Sequence, residues 1–300
     1  MPNIILPCEL SQKVDRAIAY IKSFEPESEP YYLAYSGGKD SDTIKILSTL
    51  AGVRFDAVHN LTSVDAPETV RYIKSQNDVH IEKPRDKDGN VVTMWNLIPR
   101  KKMPPTRLAR YCCKELKEYG GKERITMTGV RWAESAKRAE SGGLVKILGM
   151  PKTTKKEAEE QELNFRSTNS GGIVLNDDNA ETRRFVEHCY RTRKTLINPI
   201  IDWTDDDVWD FLKYQGCSSN PLYQCGKKRI GCIGCPNAGG KAQKREFEEY
   251  PIYRQNYVKA FDRMLKNLGK DVDWRNGEEV MTWWVGDDYR QITFENMEVI

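Results

Sequence analysis

The chain has 300 residues, of which 39% are hydrophobic and 30% are charged, and its net charge is +3 at pH 7. This length and apolar content predict one large domain or a domain with an appendage, and so small a net charge does not by itself indicate a nucleic-acid partner. No apolar run is long enough to span a membrane, and the first residues lack the features of a signal peptide.

Hydrophobic periodicity predicts alternating helices and strands over the first half of the chain. An amphipathic helix is expected over 10–25. After it we expect a strand at 31–35, a helix from Thr43, a strand at 54–60, a helix at 66–75, a strand at 79–82, a helix at 107–118 and a strand at 123–129. This order is typical of an α/β fold with a doubly wound, mostly parallel sheet that binds its ligands at the carboxyl ends of the strands.

Composition divides the chain into three regions. We expect an N-terminal helical segment over 1–28, a nucleotide-binding domain over 29–215 and a Cys-bearing helical C-terminal region over 216–300. Within the second region, 139–182 is rich in Lys, Glu, Thr, Gly and Asn, so it is predicted to be a loop-rich insertion. A helix is expected to begin at Thr204, because a hydroxyl followed by three aspartates suits a helix cap and first turn.

Residues 35–42 read Tyr-Ser-Gly-Gly-Lys-Asp-Ser-Asp and lie between a predicted strand and a predicted helix. Adjacent glycines let the backbone turn tightly and bring N–H groups close to a phosphate, and a helix N-terminus adds donors and a favourable dipole. The spacing differs from that of the P-loop, which needs Gly-x-x-x-x-Gly-Lys-Ser/Thr. The segment predicts a phosphate-binding loop formed by Ser36, Gly37, Gly38, Lys39, Asp40 and Ser41.

Four of the cysteines form two pairs. Cys112 and Cys113 are adjacent, and Cys232 and Cys235 form a Cys-x-x-Cys motif followed by proline. We expect a cytoplasmic chain, and in a reducing compartment eight cysteines are better explained by metal or redox chemistry than by disulfides. Two pairs of thiolates suit a 4Fe–4S cluster, with a zinc ion as the alternative and Cys225 as a substitute ligand.

Five motifs together resemble the phosphoadenosine phosphosulfate (PAPS) reductase family. They are Ser-Gly-Gly-Lys-Asp-Ser at 36–41, Cys-Cys-x-x-Leu-Lys at 112–117, Gly-Val-Arg-Trp-Ala-Glu-Ser-Ala-Lys-Arg at 129–138, Asn-Pro-Ile-Ile-Asp-Trp-Thr-Asp-Asp-Asp-Val-Trp at 198–209, and Asn-Pro-Leu-Tyr at 220–223 running into the second cysteine motif. The first motif resembles the PP-loop of the ATP-pyrophosphatase (adenine nucleotide α-hydrolase-like) superfamily, and residues 36–41 are called the PP-loop below. The cysteine pairs resemble the ligands of adenylyl-sulfate reductases, which carry a 4Fe–4S cluster next to the substrate.

The resemblance implies an enzyme of sulfur metabolism that binds an adenine nucleotide, either ATP, adenylyl sulfate or PAPS. Mg²⁺ would bridge the phosphates if ATP is the substrate, with Asp40 or Asp42 close enough to help. The implied catalytic residues are Lys39, Asp40, Arg131 and Arg138.

Further binding residues follow from the same motifs. Gly129 and Arg131 would join the PP-loop in holding the nucleotide, and His59 and Asn60, at the end of the second strand, are candidates for the adenine edge. From the residues alone, Arg138 is also explained by a surface ion pair with Glu134, four residues before it.

The C-terminal tail departs from the family pattern. Reductases of this family end in Glu-Cys-Gly-Leu-His, whose cysteine attacks the sulfate sulfur, whereas this sequence has no cysteine after Cys235 and reads Thr-Trp-Trp-Val-Gly-Asp-Asp-Tyr at 282–289. Without that thiolate, sulfonucleotide reduction lacks its nucleophile. Two other hypotheses stay open: an ATP pyrophosphatase that activates a nucleic acid for thiolation or phosphorothioation, and a non-catalytic nucleotide-binding subunit with structural zinc. An electron- or sulfur-donor protein is the remaining partner to consider, and a membrane is not expected.

Overall fold

The computed structural model describes residues 6–148, 151–168, 172–269 and 272–286. These residues form two compact units. The first comprises the described residues within Met1–His59, Glu68–Glu82 and Gly120–Ile230, and the second those within Asn60–Pro67, Lys83–Tyr119 and Gly231–Ile300. The units are therefore discontinuous in sequence, and their boundaries differ from the division at residue 216 that composition suggested.

The described part of the first unit contains eight strands, which are β1 (Tyr31–Ala34), β2 (Phe55–Asn60), β3 (Val79–Glu82), β4 (Ile125–Met127), β5 (Val145–Leu148), β6 (Phe165–Ser167), β7 (Ile173–Leu175) and β8 (Lys194–Ile197). They form one sheet in the order β3-β2-β1-β4-β8-β5-β7-β6. The pairs β1–β2, β1–β4 and β4–β8 are parallel. Because the strand order reverses between β1 and β4, the segments that follow these two strands border the crevice in which doubly wound folds bind ligands.

The described residues also form eleven α-helices. They are α1 (Cys8–Ser23), α2 (Lys39–Ala51), α3 (Pro67–Lys74), α4 (Met94–Lys101), α5 (Ala136–Ser141), α6 (Pro151–Glu160), α7 (Ala180–Cys189), α8 (Asp205–Tyr214), α9 (Gly240–Glu249), α10 (Pro251–Leu268) and α11 (Gly277–Val285). The central strands are covered on both faces, with Leu33, Ile125 and Met127 fully buried. The predicted doubly wound α/β fold is confirmed.

The prediction of a loop-rich insertion over 139–182 is wrong. This stretch contributes β5, β6, β7 and α6, and it extends the parallel sheet by antiparallel pairing of β5 with β8 and β7, and of β6 with β7. The strands are only three or four residues long. Such short apolar runs, separated by polar residues, carry too little periodicity to be recognised locally.

The second unit is helical, with α4, α9, α10 and α11 as its helices in the described residues. Its core is aromatic: Trp284 packs at centroid distances of 4.8 Å from Tyr257 and 5.4 Å from Phe261. The Trp284 indole N–H donates to the Pro105 carbonyl at 2.7 Å. Tyr257 and Phe261 both belong to α10, and Trp284 belongs to α11.

The helix predicted over 107–118 is shorter in the structure, and a separate helix that the sequence did not predict, α4, precedes it. An α-helix forms earlier, at α4, where the Thr93 hydroxyl accepts from the Asn96 N–H at 3.3 Å and the Asn96 side chain accepts from the Thr93 N–H at 2.9 Å. A π-helical turn spans Cys113–Lys117. Of the predicted tail motif, 287–289 lies outside the described residues. Among the helices that the structure describes, none combines the length and the apolar character that crossing a membrane requires.

Candidate functional site

The PP-loop lies between β1 and α2. Gly37 has a φ of +72°, and a Cβ atom there would lie 2.9 Å from the Ile73 side chain, so glycine is required. The Gly38 N–H donates to Ser41 Oγ at 3.1 Å, and the Ser41 hydroxyl donates to the Gly38 carbonyl at 2.8 Å. Ser36 is exposed, and its hydroxyl donates to Ser41 Oγ at 3.3 Å. The loop thus leads directly into a helix N-terminus, where amides and dipole favour an anion.

Two residues far along the chain hold the PP-loop in place. Asn220 is fully buried, and its Nδ2 donates to the Gly37 carbonyl and to Thr69 Oγ1, both at 3.1 Å. The Tyr223 hydroxyl accepts from the backbone N–H of Lys39 at 2.9 Å. The Asn-Pro-Leu-Tyr motif at 220–223 therefore fixes both the turn and the first amide of α2.

Four charged side chains meet at the start of α2. Arg131, whose side chain is 1% exposed, donates through Nε to Asp40 at 2.7 Å and through Nη2 to Asp205 at 2.5 Å. The Lys39 ammonium lies 3.4 Å from the Asp40 carboxylate and 3.3 Å from the Asp205 carboxylate. Two cations and two carboxylates therefore balance each other, while the Asp205 side chain remains 69% exposed.

The segment after β4 positions Arg131. Gly129 packs so closely on Asp40 that a Cβ atom at Gly129 would lie 2.9 Å from the Asp40 backbone. Arg131 Nη1 donates to the carbonyl of Trp203 at 3.2 Å. The Trp132 N–H donates to the Ile201 carbonyl at 2.8 Å. The motif at 198–209 is thus the support on which Arg131 rests, and Trp203 is a core residue.

The pKa values of Arg131 and Asp205 reflect their contact. Burial lowers the pKa of Arg131, but the Asp40 and Asp205 carboxylates outweigh this and raise it. Partial burial raises the pKa of Asp205, but the hydrogen bond from Arg131 and the charge of Lys39 outweigh this and lower it. Both groups are ionised at neutral pH. The Asp205 carboxylate therefore pairs with Lys39 and Arg131, the two cations that an anionic ligand would need.

Asp42, which sequence placed close to Mg²⁺, is buried instead. Its carboxylate accepts from the hydroxyl of Tyr35 at 2.5 Å and from that of Tyr72 at 3.1 Å, and only 3% of the residue is exposed. Burial raises the pKa of Asp42 to about 6, although the two tyrosine hydroxyls and Lys45 oppose this rise. Asp40 is therefore the better placed of the two carboxylates to assist a bound cation.

The raised pKa of Asp42 leads us to expect that the stability of the protein depends on pH. Because its folded-state pKa is raised, its stabilising contribution is present below the unfolded-state pKa of about 4 and is lost as the pH rises through about 6. Relative to Asp42→Asn, the wild-type free energy of unfolding should fall by up to about 3 kcal/mol between pH 4 and pH 7. Urea unfolding of both proteins across this range measures the difference, and a constant difference would contradict the assignment.

The other predicted nucleotide-binding residues are held by their neighbours. Arg138 forms the ion pair with Glu134, at 3.0 Å, that sequence offered as its ordinary explanation. His59 is buried, with Nδ1 lying 3.0 Å from the Tyr35 carbonyl oxygen, and Asn60 Nδ2 donates to the Lys117 carbonyl at 3.0 Å. Their proposed roles toward the ligand remain predictions.

The second unit brings both cysteine pairs together. Cys112, Cys113, Cys232 and Cys235 line one cavity of about 30 Å³. The rest of its wall is mostly apolar and includes Met94, Pro105, Leu116, Pro236 and Tyr257, with Thr62 and Lys117 as the polar members. The donor atoms available at this cavity are therefore thiol sulfurs, which suit zinc or an iron–sulfur cluster.

The loop that carries Cys232 and Cys235 is held from several sides. Gly234 has a φ of +73°, and a Cβ atom there would lie 2.5 Å from the Phe247 ring. Its N–H donates to Glu246 Oε2 at 2.7 Å. The Ile233 N–H donates to the Val64 carbonyl at 2.8 Å. These contacts determine the positions of both sulfurs.

Cations lie beside the thiols. Arg110 Nη2 donates to Cys113 Sγ at 3.4 Å. Hydrogen bonding from Cys112, and then from Arg110, lowers the pKa of Cys113. The same hydrogen bond with Cys113, followed by burial, raises the pKa of Cys112. Burial raises the pKa of Cys232, and Lys117 opposes this rise. Cys232, followed by Asp65 and Cys113, raises the pKa of Lys117 in turn. Positive charge is thus available beside the thiols. In the described residues, no three or more Cys, His, Asp or Glu side chains are arranged so that they could hold a metal ion.

Cys225 does not join this set. It is exposed and belongs to the first unit, in which it follows the Asn-Pro-Leu-Tyr motif. Sequence reasoning also missed Asp205 and Tyr223 as parts of the PP-loop site. Asp205 was recognised only as a residue of the first turn of a helix, and the motif that contains Tyr223 was the one available signal.

Comparison with known proteins agrees with these motifs. Residues 30–238 match the phosphoadenosine phosphosulfate reductase domain. The chain is similar to an uncharacterized protein of Methanocaldococcus jannaschii, with 25% identity over 80% of this chain and 48% of that protein, so it spans about half the length of this relative. It is also similar to the adenosine 5'-phosphosulfate reductase of Staphylococcus saprophyticus, with 34% identity over 19% of this chain and 24% of that protein.

Among solved structures, the chain is similar to the phosphoadenylyl-sulfate reductase of Candida auris in a phosphate complex. The TM-score is 0.41 at 15% identity, and the likeness covers 77% of this chain and 97% of that chain. The domain match at 30–238 takes in the PP-loop, Arg131, Asp205, Tyr223 and both cysteine pairs, and it covers more than half of the 300 residues. The chain therefore belongs to the phosphoadenosine phosphosulfate reductase family.

Proposed function

We propose that the chain is a PP-loop enzyme of sulfur metabolism that binds the phosphate or sulfate end of an adenine nucleotide at residues 36–41. One observation carries this proposal: the N-terminus of α2, the Lys39 ammonium and the buried Arg131 guanidinium converge where the strand order reverses. Sites of this composition suit oxyanions, because amides, a point charge and a planar guanidinium bind several oxygens at once.

The chemistry depends on the nucleotide. With ATP, an acceptor would bond to the α-phosphorus, the bond to the bridging oxygen would break, and pyrophosphate would leave with the electron pair. Lys39 and Arg131 would stabilise the charge that develops on pyrophosphate. Asp40 would hold Mg²⁺, which when bound would supply further positive charge to the phosphate oxygens. With adenylyl sulfate or PAPS, the same two cations would hold the sulfate.

Lys39 and Lys45 provide a matched pair for the test. Lys39→Met should weaken pyrophosphate binding and lower any turnover by about a hundredfold, because a cation in contact with the ligand is lost. Lys45→Met removes the same charge further along α2, where Lys45 bonds Gln76 and Asp78, and should stay within about twofold of wild type. Calorimetric titration with ATP, adenylyl sulfate and pyrophosphate, and pyrophosphate release with and without acceptors, are the measurements.

The outcomes separate the hypotheses. Binding of ATP with acceptor-dependent release of pyrophosphate supports an ATP pyrophosphatase that activates an acceptor. If a nucleotide binds but no acceptor gives turnover, the result supports the hypothesis of a non-catalytic nucleotide-binding subunit. Failure of all three ligands to bind the wild-type protein would overturn the assignment of the PP-loop.

The four thiols in the second unit suggest a second component, a 4Fe–4S cluster held by Cys112, Cys113, Cys232 and Cys235. The donor set fits, because it consists of sulfur with cationic Arg110 and Lys117 nearby. When bound, such a cluster would supply electrostatic or electron-transfer chemistry. Four cysteine thiolates also form tetrahedral sites for a zinc ion. Zinc is therefore the stated alternative, and metal analysis distinguishes the two.

A further inference from the structure

A groove of about 490 Å³ runs between α4 and α10 in the second unit. Two hydrogen bonds, one helical turn apart, hold its walls together. Arg263 Nη2 donates to the Trp95 carbonyl at 2.8 Å, and Asn267 Nδ2 donates to the Pro99 carbonyl at 3.2 Å. The groove is lined by Trp95, Asn256, Lys259, Asp262, Arg263 and Lys266.

Three of the lining residues form a row of cations. Lys259, Arg263 and Lys266 stand at i, i+4 and i+7 on α10, so they share one face and rise by about 6 Å and then about 4.5 Å along the helix axis. All three are exposed. Within the described ranges, neither lysine pairs with a carboxylate, and Arg263 donates to main-chain carbonyls alone.

Two other cations of the second unit form ion pairs. Arg254, on the same helix, forms two bonds with Glu278, at 3.0 and 2.6 Å. Lys101, in the last turn of α4, pairs with Glu115 at 2.7 Å. Lys259, Arg263 and Lys266 instead present their positive charge to solvent from one face of α10.

The acidic residue of the groove does not cancel this row. Asp262 Oδ1 accepts from the N–H of Gly277 at 2.6 Å. Gly277 is the first residue of α11, where the helix dipole is favourable to a carboxylate. The charge of Asp262 is thus partly compensated by the main chain, and the net field of the groove is positive.

Trp95 adds an aromatic surface beside the cations. It is half-buried and is braced by Tyr257, with ring centroids 5.2 Å apart in an edge-to-face arrangement. The segment 83–119, from which it comes, contains ten Lys or Arg and four Asp or Glu. A braced indole next to a row of cations is the combination with which proteins bind single-stranded nucleic acid, since phosphates contact the cations and a base stacks on the ring.

We propose that the groove between α4 and α10 binds single-stranded nucleic acid through Lys259, Arg263, Lys266 and Trp95. Consecutive phosphates lie along the row on α10, and a base stacks against Trp95. The site reads no sequence, because it offers charge and an aromatic face and no set of donors matched to a base edge. This proposal goes beyond the function assigned to the PP-loop and does not require it.

The chain offers a matched pair of triple variants. Lys259→Gln, Arg263→Gln and Lys266→Gln remove two lysines and one arginine from the groove. Lys241→Gln, Lys244→Gln and Arg245→Gln remove the same residue types from the exposed surface of α9 in the same unit. Fluorescence anisotropy with labelled single-stranded RNA and DNA of mixed sequence, over a series of salt concentrations, measures the affinity of each protein.

The groove variant should bind about tenfold or more weakly, and the slope of log affinity against log salt should fall by about 2, because about three phosphate contacts are lost. Trp95→Leu should weaken binding without changing the salt slope. The α9 variant should stay within about threefold of wild type with the wild-type slope. The affinities for the RNA and the DNA oligonucleotides show which nucleic acid is preferred.

Equal losses in the two triple variants, or no binding by the wild-type protein, would overturn the proposal. Competition by polyglutamate as strong as by RNA would instead assign the groove to an acidic protein and also overturn it. Calorimetric titration of the groove variant with ATP is the independent check. If the groove variant binds ATP as tightly as wild type, its loss of oligonucleotide affinity comes from the groove. If the wild-type protein binds oligonucleotide but no nucleotide, only the assignment of the PP-loop is refuted.

Discussion

Replacing Arg131 with methionine is expected to cost about 3 kcal/mol of folding free energy and to weaken pyrophosphate binding by about a hundredfold. The guanidinium is 1% exposed and contacts Asp40, Asp205 and the Trp203 carbonyl through three different nitrogens. Its removal leaves Asp40 facing Asp205 with only Lys39 between them, and an anionic ligand loses one of its two cations. Lysine cannot replace it, because one ammonium cannot span the same three acceptors. Denaturant unfolding and calorimetric titration are the measurements.

Two neighbouring variants give this prediction its controls. Arg138→Met removes a surface partner of Glu134 and should change stability by no more than about 0.5 kcal/mol. Asp205→Asn should act in the opposite direction from Arg131→Met and strengthen pyrophosphate binding several-fold, since it removes the carboxylate that competes for Lys39 and Arg131. Equal binding by the Arg131 and Arg138 variants would contradict the arrangement. Loss of pyrophosphate binding in Arg138→Met would instead show that Arg138 contributes to the site, as the family resemblance implied.

Cys232→Ser is expected to remove nearly all bound metal, leaving less than about a tenth of the wild-type content, because a hydroxyl is a poor ligand for iron or zinc at neutral pH. The same loss is expected for Cys113→Ser. Both residues line the cavity in the second unit, and the loop that carries Cys232 is held by the main-chain bonds of Ile233 and Gly234. Protein purified without oxygen should be brown and contain iron and sulfide, as measured by visible absorption and elemental analysis.

Two exposed cysteines serve as controls for the metal site. Cys8→Ser and Cys225→Ser should retain the wild-type metal content, since neither lines the cavity. A colourless protein with one zinc ion would refute the cluster and leave the ligand set intact. Loss of metal in Cys225→Ser would show that the substitute ligand suggested by sequence is used, and full retention in Cys232→Ser would reject the site.

Sequence predicted those parts of the fold that depend on local pattern. The strand before the PP-loop, the adjacent glycines and the capped start of α8 each show in a few consecutive residues, and the structure has all three. Helix α4 was missed because Pro99 lies inside it, and an internal proline normally ends a helix. Here the cap formed by Thr93 and Asn96 starts the helix, and Pro99 is tolerated close to its end.

The site was predictable only where its residues belong to one motif. Lys39 and Asp40 follow from the PP-loop, but Tyr223 reaches Lys39 across 184 positions, and Arg131 reaches Asp205 across 74. No local periodicity reports such contacts, and an aspartate in a first turn is fully explained by capping. Burial also decides between neighbours: Asp40 and Asp42 look alike in sequence, yet one faces two cations and the other faces two tyrosines.

The antiparallel extension of the sheet also bears on self-association. It moves the sheet edge from β8 to β6, which has three residues and carries Arg166, whose guanidinium donates to the carbonyls of Glu140 at 2.7 Å and Gly142 at 3.0 Å. The opposite edge, β3, has four residues and alternates apolar side chains with exposed His80 and Glu82. Long, flat and apolar edges recruit strands from other molecules, whereas short edges that carry charged side chains resist such pairing. The sheet is therefore protected at both ends from growing into intermolecular aggregates.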